Sequence, residues 1–281
     1  MSESDSKIIL ITGCSSGIGF ATAIEFSKNN FVTFPTMRNL AKKNELEDEL
    51  DSSEDILQLD VTDDTSIDNV ISQIENKYGR IDVLVNNAGY ALFGSFEDTS
   101  IEEFKQQMDT NLFGTIRLMK KVIPLMKKNN SGKIINISSI AGLVGFPFMS
   151  SHISSTFALE GLIETIRYEL KKFNIQLSLI EIGGVKTKFI DNKILAKEAL
   201  TNPDYSKSMK NYLDMIEGIF DKSISPDIIA KKIVEVANLK VFLPRYLIGD
   251  DSLQIISQKK LLAPLEYEKY MLDFMLSGIM D

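Results

Sequence analysis

The sequence predicts an α/β fold, a doubly wound domain with a parallel β-sheet flanked by helices. Short β-branched runs alternate with longer helical stretches along the chain, and strands joined by crossover helices pair in parallel with both faces covered. At 281 residues and 44% apolar content the chain can bury one large core, and one domain of this size is ordinary. No internal repeat, low-complexity linker or break in composition marks a second domain, so residues 1–281 are expected to form one unit.

The first strand is read at Lys7–Thr12, a continuous apolar run, followed by a glycine-bearing turn and a helix to about Ser27. Phe31–Thr36 and Asp55–Leu59 are the second and third strands. Asp82–Asn86, Lys133–Ser138 and Gln176–Glu181 follow, each separated by enough residues for a helix. Asn129-Asn130-Ser131-Gly132 is a turn before a strand. Leu253 to Met280 mixes apolar and charged residues at helical spacing, and its low basic content favours a packed or subunit-bridging helix over one lying on a membrane.

Composition excludes several function classes. A net charge of −8 argues against a nucleic-acid surface, because phosphate binding needs a basic face. The polar, acidic start Met1–Lys7 lacks the apolar stretch of a signal peptide, and no run of about 18 apolar residues could span a membrane. The one cysteine, Cys14, has no partner for an internal disulfide, which suits the cytoplasm. A cytoplasmic protein is expected.

Thr12-Gly13-Cys14-Ser15-Ser16-Gly17-Ile18-Gly19 joins the first strand to the first helix. Gly13 permits a tight turn, Gly17 lets backbone approach a pyrophosphate, and Gly19 lets helix and strand pack closely. The helix N-terminus then offers N–H groups and a positive dipole end to phosphate. The G-x3-G-x-G spacing, with Thr12 before it, resembles the short-chain dehydrogenase/reductase family, a Rossmann-type fold, over nearly the whole chain. Asp60-Val61 resembles the family's adenine contact, and Asn86-Asn87-Ala88-Gly89 the motif beside the cofactor. Asn111 matches the helix asparagine that holds a catalytic water, and Ser139 the serine that orients substrate. Gly183-Gly184-Val185-Lys186-Thr187 resembles the segment after the sixth strand, in which Thr187 would contact the nicotinamide amide, and Pro244–Gly249 fits the C-terminal part. No metal site is expected.

Users of NAD commonly place a carboxylate at the end of the second strand. Here that stretch is Thr36-Met37-Arg38. A guanidinium can pair bidentately with a 2′-phosphate, so the resemblance implies NADP, with NAD as the lesser choice.

At the reactive end the resemblance breaks. Thirteen residues after Ser139, where the family carries its proton-donating Tyr, stands His152, and four residues later, in place of Lys, stands Thr156. Tyr168 and Lys172 also fit Y-x3-K, but 16 residues from position 152 along a helix is about 24 Å. His152 is the chain's one histidine, and an imidazole titrating near 6.5 could serve as acid or base. Against this, its nitrogens fall roughly 2 Å short of a Tyr hydroxyl's place, where hydrogen-bond reach is about 2.6–3.2 Å. Thr156 is neutral and too short to bridge to a ribose as Lys does. Ile182, standing for the family's Pro, is expected to loosen the cover of the nicotinamide, since proline fixes φ.

Two readings follow. One is an NADP(H)-binding homologue whose alcohol/carbonyl hydride transfer is weak or lost, forming homo-oligomers or partnering an active relative. The other is an active oxidoreductase using His152, or water held by Ser139 and Asn111, as proton donor. Tyr90–Phe96, Leu143–Met149 and a flap at about 190–223 would line the cleft, with a C-terminal helical extension at about 250–281. Phe93, Phe96, Phe146, Phe148, Tyr205 and Tyr212 there suit a small lipophilic carbonyl or alcohol.

Overall fold

The computed structural model describes residues 6–50, 55–187 and 193–276. In chain order the elements are β1 (Ile8–Ile11), α1 (Gly17–Ser27), β2 (Val32–Met37), α2 (Asn44–Glu47), β3 (Leu57–Gln58), α3 (Asp64–Tyr78) and β4 (Val83–Asn86). Then come β5 (Leu92–Phe93), α4 (Ile101–Met108), α5 (Gly114–Lys128), β6 (Gly132–Ser139), α6 (Ser150–Leu170) and β7 (Ile175–Ile182). The last third holds β8 (Ile194–Leu195), α7 (Ser206–Asp221), α8 (Pro226–Asn238), β9 (Arg245–Ile248), α9 (Asp250–Leu261) and α10 (Pro264–Leu276).

Seven parallel strands form the sheet, in the order β3-β2-β1-β4-β6-β7-β9, and β5 and β8 make a separate parallel pair. Strand alternation divides the core. Ile8 and Leu10 face a layer built on α3, α5 and α6, whereas Ile9 and Ile11 face one built on α1 and α8. Order reverses on either side of β1, so the loops after β1 and β4 open side by side at the strands' C-terminal ends. In doubly wound sheets this switch point forms the ligand crevice.

Local chemistry fixes the helices. Asp63 caps α3 by accepting from the Thr65 N–H, and Gly79, at φ 68°, ends it. Ile67, Val70, Ile71 and Ile74 give that helix its buried stripe. Ser100 and Glu103 close a capping box on α4, and Ser225 with Pro226 starts α8. Among the described residues no helix is long and apolar enough to cross a membrane.

All six expected strands form, with shifted ends. The third shrinks from Asp55–Leu59 to two residues. β2 holds Pro35 inside it, tolerated because pairing with β3 begins only at Thr36. The seventh strand, β9, has no counterpart among the expected ones. Of the flap, residues 190–192 lie outside the described residues, and the rest holds β8 and α7. Of the C-terminal extension, α9 and α10 cover residues to 276, and 277–281 lie outside.

Candidate functional site

Two loops lock together at the switch point. The Thr12 hydroxyl accepts the N–H groups of Asn87 and Ala88, each at 3.0 Å. The Asn87 amide donates to the carbonyls of Thr12 and Gly13 at 2.9 and 3.1 Å. Gly13 and Gly17 hold φ of 74° and 63°, where a side chain is strained. A Cβ at Gly19 would lie 2.4 Å from both the Gly13 carbonyl oxygen and the Asn87 amide nitrogen. The turn is therefore a bare backbone cradle.

Above the cradle, α1 begins at Ser16 with no side-chain cap and no acidic residue in its first turn. Its leading N–H groups and dipole are left to a ligand, as anion binding requires. Thr187 closes the far side, its Cβ 3.3 Å from where a Gly17 Cβ would stand. Ser15 is half-buried in the turn, and Ile18 packs into the core beneath it. These residues fit a dinucleotide pyrophosphate.

The remaining adenosine-end residues frame the same crevice. Arg38 is exposed at the end of β2, its carbonyl held by the Gln58 amide at 3.1 Å. Its positive charge reaches Tyr90 across the opening. Asp60 accepts the Thr62 N–H and hydroxyl at 2.9 and 2.7 Å, which fixes the loop after β3. Val61 is buried against Gly114, where a Cβ would come within 2.7 Å. Cys14 is wholly buried, and burial pushes its thiol up to about 12, so it is inert.

At the reactive end a π-helical turn, Asp109–Phe113, joins α4 to α5 and carries Asn111. Such expanded turns accompany functional sites. The Asn111 side chain clasps the main chain of Tyr90, accepting from its N–H at 3.2 Å and donating to its carbonyl at 2.9 Å. Gly89 passes close by, with Asn111 Oδ1 at 3.2 Å from a notional Cβ. Nδ1 of His152 lies 3.4 Å from the Asn111 amide nitrogen. The structure thus brings His152 and Asn111 together.

His152 is buried, with 8% of the residue exposed. Desolvation pulls its pKa down to about 4, offset only in part by a hydrogen bond to the Tyr90 carbonyl. Thr156 faces inward and spends its hydroxyl on helix and loop carbonyls, Ala141 at 2.7 Å, Ile153 at 3.0 Å and His152 at 3.1 Å. Ser139 donates to the Ile182 carbonyl and accepts from the Ala141 N–H, both at 3.1 Å. Tyr168 is exposed at the far end of α6, away from this cluster.

One expectation is overturned here. Ile182 does not loosen its segment: it is the last residue of β7, paired to Ser139 on one side and Ile248 on the other. An isoleucine brings to the ladder the N–H that proline lacks. Beyond it, Gly184 N–H donates to Asp251 at 2.8 Å and Lys186 N–H to the Ile224 carbonyl at 2.8 Å. The path to Thr187 is tied at three places.

Sequence reasoning missed two groups. Gln107, fully buried one turn before Asn111, donates to the Tyr90 carbonyl at 2.9 Å and accepts from Leu92 N–H at 2.8 Å. Directly behind Ser139, the buried carboxyls of Glu160 and Glu181 face Arg245 Nε at 3.1 and 3.0 Å. Ser138 donates to Glu160 at 2.6 Å, and Glu164 takes the outer Arg245 nitrogen at 2.8 Å. Desolvation raises both buried carboxyls, that of Glu181 to about 7 with Glu160's negative charge adding to the shift. Lone acids inside the apolar runs ALEGLI and LSLIEI were the available signal. Among the aromatic residues, Phe96 faces solvent at 77% exposure rather than the cleft, edge-on to Phe104, whereas Phe93 and Tyr212 are fully buried.

The cradle yields a direct prediction. In Gly19→Val the side chain would drive the turn off the helix N-terminus that is to meet the pyrophosphate, and NADPH binding should fall by about tenfold or more, the loss of one charge-assisted hydrogen bond or more. Fluorescence titration of a variant shown folded by circular dichroism tests it. Unchanged affinity would leave the turn a purely structural one.

The sequence model of the family described as short chain dehydrogenase matches residues 7–198. A 3-ketodihydrosphingosine reductase of Bacteroides thetaiotaomicron is 38% identical over 215 residues, covering 75% of this chain and 76% of that protein. Retinol dehydrogenase 8 of Bos taurus is 37% identical over 244 residues, covering 82% and 77%. Among solved structures, a short-chain dehydrogenase from Streptomyces avermitilis superposes with a TM-score of 0.82 at 28% identity, over 96% of each chain. ElxO, solved with NADP bound, gives 0.74 at 32% identity over 89% of this chain and 99% of its own. With the parallel seven-stranded sheet and the glycine cradle, these matches establish that the chain belongs to the short-chain dehydrogenase/reductase family.

Proposed function

We propose that this chain binds NADP(H) in the family's manner and that its alcohol/carbonyl hydride transfer is weak or lost. The observation that carries the reading is the pair at 152 and 156. When bound, the nicotinamide supplies or takes the hydride, and the protein must supply or take the proton. Burial holds the pKa of His152 at about 4, so the ring is neutral at pH 7 and brings no imidazolium to serve as acid. Thr156 brings no positive charge and has committed its hydroxyl to carbonyls. A general acid contributes about 10²–10⁴-fold, and that factor is what the site lacks.

The preference for NADP rests on Arg38, exposed on the crevice side with no acid at Met37, and the NADP-bound state of ElxO agrees with it. Arg38→Ala is expected to weaken NADPH about tenfold, as loss of a charge-assisted pair of about 1.4 kcal/mol would, and to leave NADH unchanged. Equal wild-type affinities for the two would sink the assignment. The names of the relatives, a reductase of 3-ketodihydrosphingosine and a dehydrogenase of retinol, fit a cleft for a lipophilic carbonyl or alcohol. With binding kept and turnover low, the chain would act as a homo-oligomer or as a cofactor-occupied partner of an active relative in the cytoplasm.

The deciding experiment is a panel of lipophilic carbonyls and alcohols followed by NADPH absorbance, on protein first shown to bind NADPH. Robust turnover that His152→Ala abolishes would overturn the proposal. Its pH profile would then break near 4, the buried ring's value, rather than near 6.5.

A further inference from the structure

Asp251, in the first turn of α9, stands among three glycines. Its Oδ2 accepts the Gly184 N–H at 2.8 Å. A Cβ on Gly183 would overlap both oxygens of the same carboxylate, and one on Gly249 would lie 2.5 Å from Oδ1. Gly249 also holds a φ of 112°, which side chains rarely adopt. Behind the carboxylate, the buried Ser252 hydroxyl and the Gly183 N–H both donate to the Ile248 carbonyl, each at 3.3 Å. Backbone leaving β7 and backbone leaving β9 thus close round one half-buried acid. Its charge is favoured there, because the first turn of a helix is the positive end of the dipole.

Residues 183–187 form a strap from the end of β7 to the rim of the glycine cradle. Val185 is buried and bridges Ile224, the Lys186 N–H donates to the Ile224 carbonyl at 2.8 Å, and Thr187 comes to rest beside Gly17. Two adjacent glycines are the freest backbone a chain can place at the start of such a strap, and Ile182 before them brings no fixed φ. Ile224 holds one part of it, and Asp251 holds the glycine pair. The strap leaves β7 beside Ser139, at the reactive end. Arg38 stands at the end of β2, with β1, β4 and β6 between them. Its position therefore bears on the nicotinamide half of a dinucleotide and not on the adenosine half.

We propose that Asp251 is a positioning residue for the cofactor: by fixing the Gly183–Gly184 pair it sets how closely Thr187 approaches the cradle, and so the hold on the nicotinamide half. This rests on the reading of the crevice as an NADP(H) site, and it does not depend on turnover.

The test is calorimetric titration of NADPH and of 2′,5′-ADP, which carries the adenosine end and its 2′-phosphate but no nicotinamide. Asp251→Ala should weaken NADPH about tenfold, the loss of one charge-assisted hydrogen bond, and leave 2′,5′-ADP within about twofold of wild type. Asp251→Asn keeps an oxygen for the Gly184 N–H and should recover most of the NADPH affinity. Gly183→Ala displaces the carboxylate from the other side, should show the same split between ligands, and decides the matter if Asp251→Ala does not fold. Without ligand, the Gly184 amide should exchange with deuterium at least about tenfold faster in Asp251→Ala than in wild type. An equal fall for both ligands, an unchanged NADPH affinity, or an Asp251→Asn protein as weak as Asp251→Ala overturns the assignment. A wild type that binds no NADPH overturns the cofactor reading instead. The strap is then judged by exchange alone, and a Gly184 amide as slow in Asp251→Ala as in wild type overturns it.

Discussion

The double change His152→Tyr and Thr156→Lys is expected to raise NADPH-dependent turnover of a lipophilic ketone by about 10² or more, the general-acid factor. A tyrosine reaches further than the imidazole, and its hydroxyl comes into use once a cation lowers its pKa from about 10. Each change alone should give little: Tyr without Lys keeps its high pKa, and Lys without Tyr has no proton to tune. The introduced lysine must also leave the inward pocket where the Thr156 hydroxyl now meets three carbonyls. Ile182→Pro is not needed as a third step, because β7 already holds that residue in register with Ser139 and Ile248. Steady-state rates of the four proteins decide the matter. A double variant no faster than wild type would mean the scaffold has moved as well as the pair.

The second large effect is on stability. Glu160 and Glu181 face one Arg245 side chain from α6 and β7, with Glu164 also on that arginine and Lys260 of α9 adding a weaker positive charge. Full ionisation would set two almost wholly buried negative charges against one guanidinium, so the pair holds a proton to well above the ordinary carboxylate range. The folded-state pKa of Glu181, about 7, stands above the ordinary 4.5. The native state therefore holds a proton that the unfolded chain gives up. Stability from this site is complete below about 4.5 and drains away as pH climbs through 7. A loss of even about 1 kcal/mol lowers Tm by about 2–4 °C for a chain of this size. Glu181→Gln keeps the neutral form at every pH, so its Tm should gain on that of wild type as pH rises from about 5 to 8, a difference in which the opposite contribution of the buried His152, common to both proteins, cancels. Parallel curves for the two proteins would remove the shared proton from the account.

What sequence disclosed and what it withheld divide along physical lines. Gly13, Gly17 and Gly19 were legible because a positive φ or a 2.4 Å approach admits no other residue. The six strands were legible because buried parallel strands write themselves as β-branched runs. β9 was not, since four residues beginning with a charged Arg245 carry too little pattern to mark a strand. The Glu160–Glu181–Arg245 cluster joins three elements far apart in the chain, which no local spacing records. The substitution at Ile182 was visible but its effect was not, because the neighbouring strands decide whether an N–H is useful. His152 was found by its position alone, and its neutral state follows from burial that only the packed α6 provides.

That burial gives the protein a built-in reporter. With one histidine in the chain, the imidazole C2 proton contributes a single resonance to a one-dimensional NMR spectrum, and no isotopic labelling or assignment is required. The ring touches the Asn111 amide and the Tyr90 carbonyl, so its chemical shift records the arrival of cofactor, the filling of the cleft and the entry of water at the reactive end. An enzyme that carries tyrosine at this position offers no such signal.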